Sequence, residues 1–266
     1  MHFRNIYMKK VLIIGYGDLG QRISSTLPDH QFIGISRSNH VQDKNSEWLP
    51  WDWFSGEPFK LKHQEISTVI IILKPTSFDE EGYQQGFLAA ANSIMTNLNA
   101  QINYEQLVIV SSTRVYGNSN GQNITEEQTP QPENFRGKVI LNYEAFIKAQ
   151  SKVEPLILRA SGLYDGKHHW MQNFVNSFES QKFQLKLKAA NRFDRNALAE
   201  IISNYLTKKK LSHLAGVFIC SEISKGYAEL FREQCPGKVF EDYFIPSDQS
   251  GKSFDPQKLI DSGLMG

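Results

Sequence analysis

Val11-Leu-Ile-Ile-Gly15-Tyr-Gly17-Asp-Leu-Gly20 is the stretch whose reading decides the fold. Four apolar residues read as a buried strand, and the glycines behind them fit G-x-G-x-x-G ahead of a helix expected from about Gly20 to Leu27. In that strand-turn-helix context each glycine has a task. Gly15 permits the tight turn, Gly17 lets backbone approach a pyrophosphate, and Gly20 lets helix and strand pack closely. The free amides of the first helical turn then face the phosphates. Gly15, Tyr16, Gly17, Asp18, Leu19 and Gly20 are the expected dinucleotide cradle.

Working outward, short apolar runs alternate with helical spacing. Strands are expected at Phe32–Ile35, Val69–Leu73, Leu107–Val110, Leu156–Leu158 and Val217–Cys220, with helices at Glu81–Leu98, Val139–Ala149 and Arg195–Leu206. Continuous apolar strands separated by helices argue a parallel sheet covered on both faces, a doubly wound α/β (Rossmann) fold. From about Ser161 the loops lengthen and periodicity weakens. Residues 8–160 are therefore expected to form a dinucleotide-binding domain. Residues 161–266 should form a smaller substrate lobe plus late Rossmann elements near 217–220.

The 266 residues are 40% hydrophobic and 21% charged, enough apolar content for a core and too much for a disordered chain. The formal net charge of +1 gives no global reason to expect nucleic acid or an anionic membrane as partner, so a small-molecule substrate is expected. No apolar run approaches the roughly 18 residues of a membrane span. Cys220 and Cys235 form no CxxC pair, which excludes a disulfide framework and a cysteine-rich zinc site, and no metal is expected; reduced thiols in the cytoplasm are the plain reading. Met1 to Tyr7 read either as a leader peripheral to the fold or as residues upstream of the true start.

Cofactor selectivity should be set at the end of the second strand. A site for NAD places Asp or Glu there, whereas this chain has Ser36-Arg37-Ser38. An arginine fork can pair a 2′-phosphate, with hydroxyls adding bonds, so NADP is expected over NAD; an exposed loop cation is the other reading of Arg37. Asp52, between Trp51 and Trp53, either meets the adenine or is a turn residue. Leu73, Lys74 and Ser111, at the ends of later strands, complete the expected cofactor set.

The glycine loop, together with Val108-Ile-Val-Ser-Ser-Thr-Arg-Val-Tyr-Gly117, Leu158-Arg-Ala-Ser-Gly-Leu-Tyr164 and Asn191-Arg192 ahead of a helix, resembles the extended short-chain dehydrogenase/reductase superfamily in its epimerase/dehydratase-like branch. The resemblance implies that Ser112 is the catalytic Ser, that Thr113 lies with the substrate, and that Asn191-Arg192 belong to a loop closing over substrate. It also implies an NAD(P)-dependent oxidoreductase or epimerase/dehydratase acting on a small carbonyl, hydroxyl or sugar-nucleotide substrate, with a homodimer as the family habit.

The chain departs from that family where the chemistry is done. The family uses a Tyr as acid/base and a Lys four residues later, some two dozen residues after the Ser. That register falls on Phe135-Arg136-Gly137-Lys138, placing Arg136 in the Tyr position and Ile140 in the Lys position. Arg136-Gly-Lys138 resembles an atypical subgroup of the superfamily, and Arg136 or Lys138 could hold a substrate anion; a guanidinium does not replace a phenol as proton donor. Tyr143 and Lys148 are five apart, about 140° around a helix, and Tyr143 shares an apolar stripe with Val139, Ile140 and Ile147, so a core tyrosine is expected. The proton role then falls to Tyr116, Tyr164 or His168, the last either a replacement acid/base or a surface loop residue. A non-catalytic NADP(H)-binding sensor or regulatory protein is the competing function.

Overall fold

The computed structural model describes residues 10–38, 40, 43–61, 65–165, 170–177, 182–185, 189–223, 225–246 and 251–266. Met1 to Tyr7 and His168 fall outside these residues.

Seven parallel strands form the central sheet: β1 (Lys10–Ile14), β2 (Gln31–Ser36), β3 (Ser46–Pro50), β4 (Ile66–Ile72), β5 (Gln106–Ser112), β6 (Leu156–Ala160) and β7 (Gly216–Cys220). Their spatial order is β7-β6-β5-β4-β1-β2-β3, so the winding reverses between β1 and β4. This is the Rossmann arrangement expected from the sequence. In such sheets ligands bind beyond the carboxyl ends of the strands at the reversal.

Helix α1 (Asp18–Thr26) follows β1. After β4 a helical run passes through a π-helical stretch (Gln84–Ala89) into α2 (Ala90–Gln101); α3 (Phe135–Gln150) precedes β6, and α4 (Arg195–Thr207) precedes β7. Ile94, Leu98, Ile140 and Tyr143 pack on one face of the sheet, and Ile23, Leu198, Ile202 and Tyr205 on the other. Both faces are thus dry, which is why the strands read as unbroken apolar runs.

The expected third strand proved to be the fourth. Ser46–Pro50 pairs with β2 at the sheet edge (Phe32 opposite Ser46, Ser36 opposite Pro50), and its polar residues and proline carry little strand signal. The smaller lobe has its own core, made by Met171, Leu185, Leu230, Phe231, Phe240 and Phe244. Short strands join it to the sheet's carboxyl side: Gly162–Tyr164 pairs Arg192–Asp194, and Ala189–Ala190 pairs Lys225–Gly226. The segment from Gly251 returns to the domain, where Phe254 bridges Ile124.

Candidate active site

The turn after β1 is built for close approach. Gly15 has φ +85°, and a Cβ there would lie 1.9 Å from the Ile72 carbonyl oxygen, so only glycine fits. Its amide and that of Tyr16 both donate to Ile35 O (2.9 and 3.0 Å), tying the turn to β2. Gly17 is the N-cap of α1 and supplies no side-chain cap, while a Cβ on it would meet only Gly15 O at 4.0 Å. Among the described residues nothing caps the amides of the first turn of α1, from Asp18, and the flank at Gly17 is open. That geometry fits a dinucleotide pyrophosphate. Gly20 packs against the Tyr16 ring, as helix–strand packing requires.

The residues between the glycines do not all face that flank. The Tyr16 ring is fully buried under α1 and its hydroxyl lies 2.7 Å from Ser24 Oγ, so its side chain belongs to the core and not to a cofactor contact. Leu19 is likewise buried. The exposed Asp18 carboxylate accepts from Arg22 Nε (3.1 Å) and lies 3.5 Å from Arg195 Nη1, partners that offset its repulsion of a phosphate.

At the end of β2, Ser36 is buried; its hydroxyl donates to Ser38 O (2.6 Å) and accepts from Trp48 Nε1 (3.2 Å). It shapes the turn and is not free to bond a ligand. Arg37 and Ser38 are solvent-exposed beside it. Asp52 resolves as a turn residue: its Oδ1 accepts the Phe54 amide at 3.1 Å. Lys74 is exposed and stays outside the cleft described next, whereas Leu73 lines it.

A cleft of about 800 Å³ opens beyond the carboxyl ends of β4, β5 and β6, at the meeting of sheet and lobe. Leu73, Ser111, Ser112, Thr113, Ile140, Ser161, Asn191 and Lys252 are among the residues that line it. Its charged residues among those described are Arg114, Arg195 and Lys252 against one carboxylate, Glu133. Ser112 caps the short turn after β5, its hydroxyl accepting the Arg114 amide at 3.2 Å. Thr113 is buried, with Oγ1 3.3 Å from Ser161 Oγ. Arg195 touches both regions: it lines the cleft and pairs with Asp18 at the glycine turn.

Beneath the cleft floor lies a buried polar network. Arg159 on β6 donates from Nη2 to Glu144 Oε2 (2.6 Å) and from Nη1 to the Tyr116 hydroxyl (2.6 Å), and Ser111 donates to Glu144 Oε1 (2.5 Å). This settles the place of two expected site residues. The Tyr116 ring is wholly buried and its hydroxyl is held by Arg159, with burial pushing its pKa up, so it is not a proton donor to the cleft. Ser111 lines the cleft with its hydroxyl committed to Glu144.

Other expectations are redirected as well. The Tyr164 hydroxyl donates to Glu222 Oε1 (2.5 Å), and burial, with the Glu222 contact, pushes its pKa up to about 12. Arg192 stacks on the Tyr164 ring (4.6 Å) and donates to Glu222 Oε2 (3.1 Å). Neither residue lines the cleft; together they brace the lobe. Arg136 is half-buried, with Nη2 on Phe78 O (3.0 Å) and its guanidinium against the Phe135 ring, and Lys138 is exposed on α3. Tyr143 is fully buried against Phe87, and its hydroxyl has no hydrogen-bond partner. Arg195 and Lys252 were missed by sequence reasoning: neither stands in a motif, and only the fold brings them to Ser112.

A family model described as the RmlD substrate binding domain matches residues 85–220, just over half the chain, from the π-helical stretch ahead of α2 to β7. The chain belongs to that family. With it comes membership of the extended short-chain dehydrogenase/reductase superfamily. No curated protein matches the chain. Among solved structures, MoeE5 in complex with UDP-glucuronic acid and NAD is similar at TM-score 0.74 and 13% identity, over 95% of this chain and 92% of that one. UDP-glucuronic acid 4-epimerase from Bacillus cereus gives TM-score 0.73 at 14% identity, over 97% and 93%. dTDP-glucose 4,6-dehydratase from Bacillus anthracis gives 0.71 at 14%, over 96% and 90%. At such identities the likeness is one of fold.

Proposed function

We propose that this RmlD-family member is a nicotinamide-dependent enzyme of the epimerase/dehydratase type, with NADP preferred over NAD and an anionic sugar nucleotide as substrate. The observation that carries the reading is the junction of two features at one edge of the sheet. The uncapped, open glycine turn of α1 fits a pyrophosphate, and Arg195 connects it to the cleft that holds Ser112. Three cations facing one carboxylate suit an anionic substrate. The structural neighbours bound to UDP-glucuronic acid and NAD support the same pairing.

A bound nicotinamide supplies or accepts the hydride. The chain's own residues do the rest: the first turn of α1 holds the pyrophosphate, Arg37 pairs the 2′-phosphate, Ser112 donates a hydrogen bond to the reacting substrate oxygen, and Asn191 helps close the cleft. Calorimetry with NADPH and NADH, alone and then with UDP-glucuronic acid, tests this reading. Binding of NADPH tighter than NADH, followed by sugar-nucleotide binding to the loaded protein, is expected. Absence of binding by either dinucleotide would overturn it.

One observation favours a second reading, a dinucleotide-binding sensor. Arg136 and Ile140 occupy the family's Tyr and Lys positions; Ile140 lines the cleft with an apolar side chain, while the Arg136 guanidinium is bound to Phe78 O at the cleft's edge. Tight NADPH binding with no turnover of any UDP- or dTDP-linked sugar would favour that sensor.

A further inference from the structure

The chemistry proposed above needs a group that holds and releases a proton at the substrate. Six ionisable residues line the cleft among those described: Arg114, Tyr116, Glu133, Arg195, Tyr227 and Lys252. The two guanidiniums do not release a proton near neutral pH. Tyr116 is locked to Arg159, and burial pushes the Tyr227 phenol up, away from neutrality. Glu133 is exposed, and its Oε1 accepts the Ser119 amide (3.0 Å), which holds it on the Gly117–Asn120 turn.

Lys252 differs in how it arrives. Its segment is pinned from two sides: Ile124 donates its amide to Ser253 O (2.9 Å) and accepts from the Asp255 amide (2.9 Å), while Asn191 Nδ2 donates to Lys252 O (2.8 Å). The side chain then runs into the cleft, where Nζ donates to Thr113 O (3.2 Å) and to Tyr116 O. Both acceptors lie on the turn that begins at Ser112. An ammonium has three donors, so two on the turn leave one for the cleft.

We propose that Lys252 is the proton-transfer residue of the cleft, taking the role that α3 lacks the tyrosine and lysine to perform. This rests on the function proposed above. In the reducing direction the Nζ–H bond breaks and an O–H bond forms on the substrate oxygen. The electron pair stays on Nζ, and the hydride that balances the reduction is the nicotinamide's contribution; oxidation reverses each move. The surroundings suit the task. Burial pushes Lys252 down to about 8, Arg114 adds to the lowering and Glu133 opposes it, while the Phe254 ring lies 5.7 Å away. A proton donor works best when its pKa lies near the operating pH.

Competitive acetylation of the wild-type protein, read by mass spectrometry across the neutral and alkaline range, should show Lys252 titrating near 8, well below the ~10.4 of an ordinary lysine. NADPH with UDP-glucuronic acid should protect it. Lys252→Arg keeps the charge and the bonds to the turn, so the variant should bind UDP-glucuronic acid within about threefold of wild type. Its turnover should fall roughly 10²–10⁴-fold, and the fall in rate above pH ~8 should vanish from its profile. Lys252 titrating as an ordinary lysine, or Lys252→Arg with wild-type turnover, would overturn the assignment alone. Wild-type protein that binds no dinucleotide would overturn the proposed function and this assignment with it, as would one that binds both ligands and turns over nothing.

Discussion

At the β1–α1 turn, Gly15 holds a positive φ against Ile72, Gly17 leaves the helix uncapped, and Gly20 lets α1 settle on the Tyr16 ring. Along the face of α3 that meets the cleft and sheet, the successive positions are Arg136 on Phe78 O, Ile140 at the cleft, and Glu144 in a buried ion pair with Arg159. The first region keeps every feature a phosphate needs. The second carries packing and a structural charge pair where the resemblance expects proton chemistry. Holding a dinucleotide depends on main-chain amides and the absence of side chains, which tolerate change elsewhere. Moving a proton depends on single side chains, which can be lost from one element and supplied by another.

The largest effect should come from the α3 side. Arg159→Met leaves the Glu144 carboxylate buried without its partner and should cost about 3–5 kcal/mol of stability, measured by denaturant titration. A loss below ~1 kcal/mol would mean the network is not the platform of the cleft floor. Gly17→Val should come next. Its side chain occupies the open flank, so NADPH binding should be lost by calorimetry while the melting temperature stays within a few degrees of wild type. A folded variant with unchanged affinity would remove the distinction between the two regions. Arg37→Ala should weaken NADP roughly ten- to a hundredfold, the worth of one charge-assisted contact, and leave NAD unchanged; equal losses would give Arg37 another role.

Smaller effects sharpen the contrast. Tyr143→Phe removes a buried hydroxyl that has no partner, so it should raise stability by up to ~1 kcal/mol and leave turnover intact. A turnover loss of the size expected for an acid/base would return the proton role to α3. Lys252 also predicts a pH dependence. Its folded pKa of about 8 lies below the ~10.4 of the unfolded chain, so the unfolded state binds more protons between them. Wild type should therefore gain stability relative to Lys252→Met as pH rises from about 8 to about 10.4; a flat difference would place the ammonium in water.

The sequence made the first region legible because its signals are local: an apolar strand, three glycines and Ser36-Arg37-Ser38 lie within 28 residues, from Val11 to Ser38. It also exposed the vacancy on α3, since Arg136 and Ile140 are found by counting from Ser112. It misled wherever direction mattered more than proximity. Tyr116 is four residues from Ser112, yet its hydroxyl points to Arg159, a partner 43 residues away. Tyr16 lies inside the glycine motif but faces the core. Lys252 is 139 residues from Thr113 and enters the cleft only because Ile124 and Asn191 hold its segment there.

That pinned segment bears on how the molecule is made. Residues 10–38 emerge early in synthesis and carry the glycines of a turn that closes on Ile72, whereas the Ser112 cleft waits for Lys252 to be translated and drawn past Ile124. Until that segment is in place the cleft lacks the wall that Lys252 supplies, a stage the sheet's seven strands reach without it. A tag or extension that disturbs residues 251–255 would hold the protein near that stage, folded across its sheet and open where substrate should be enclosed.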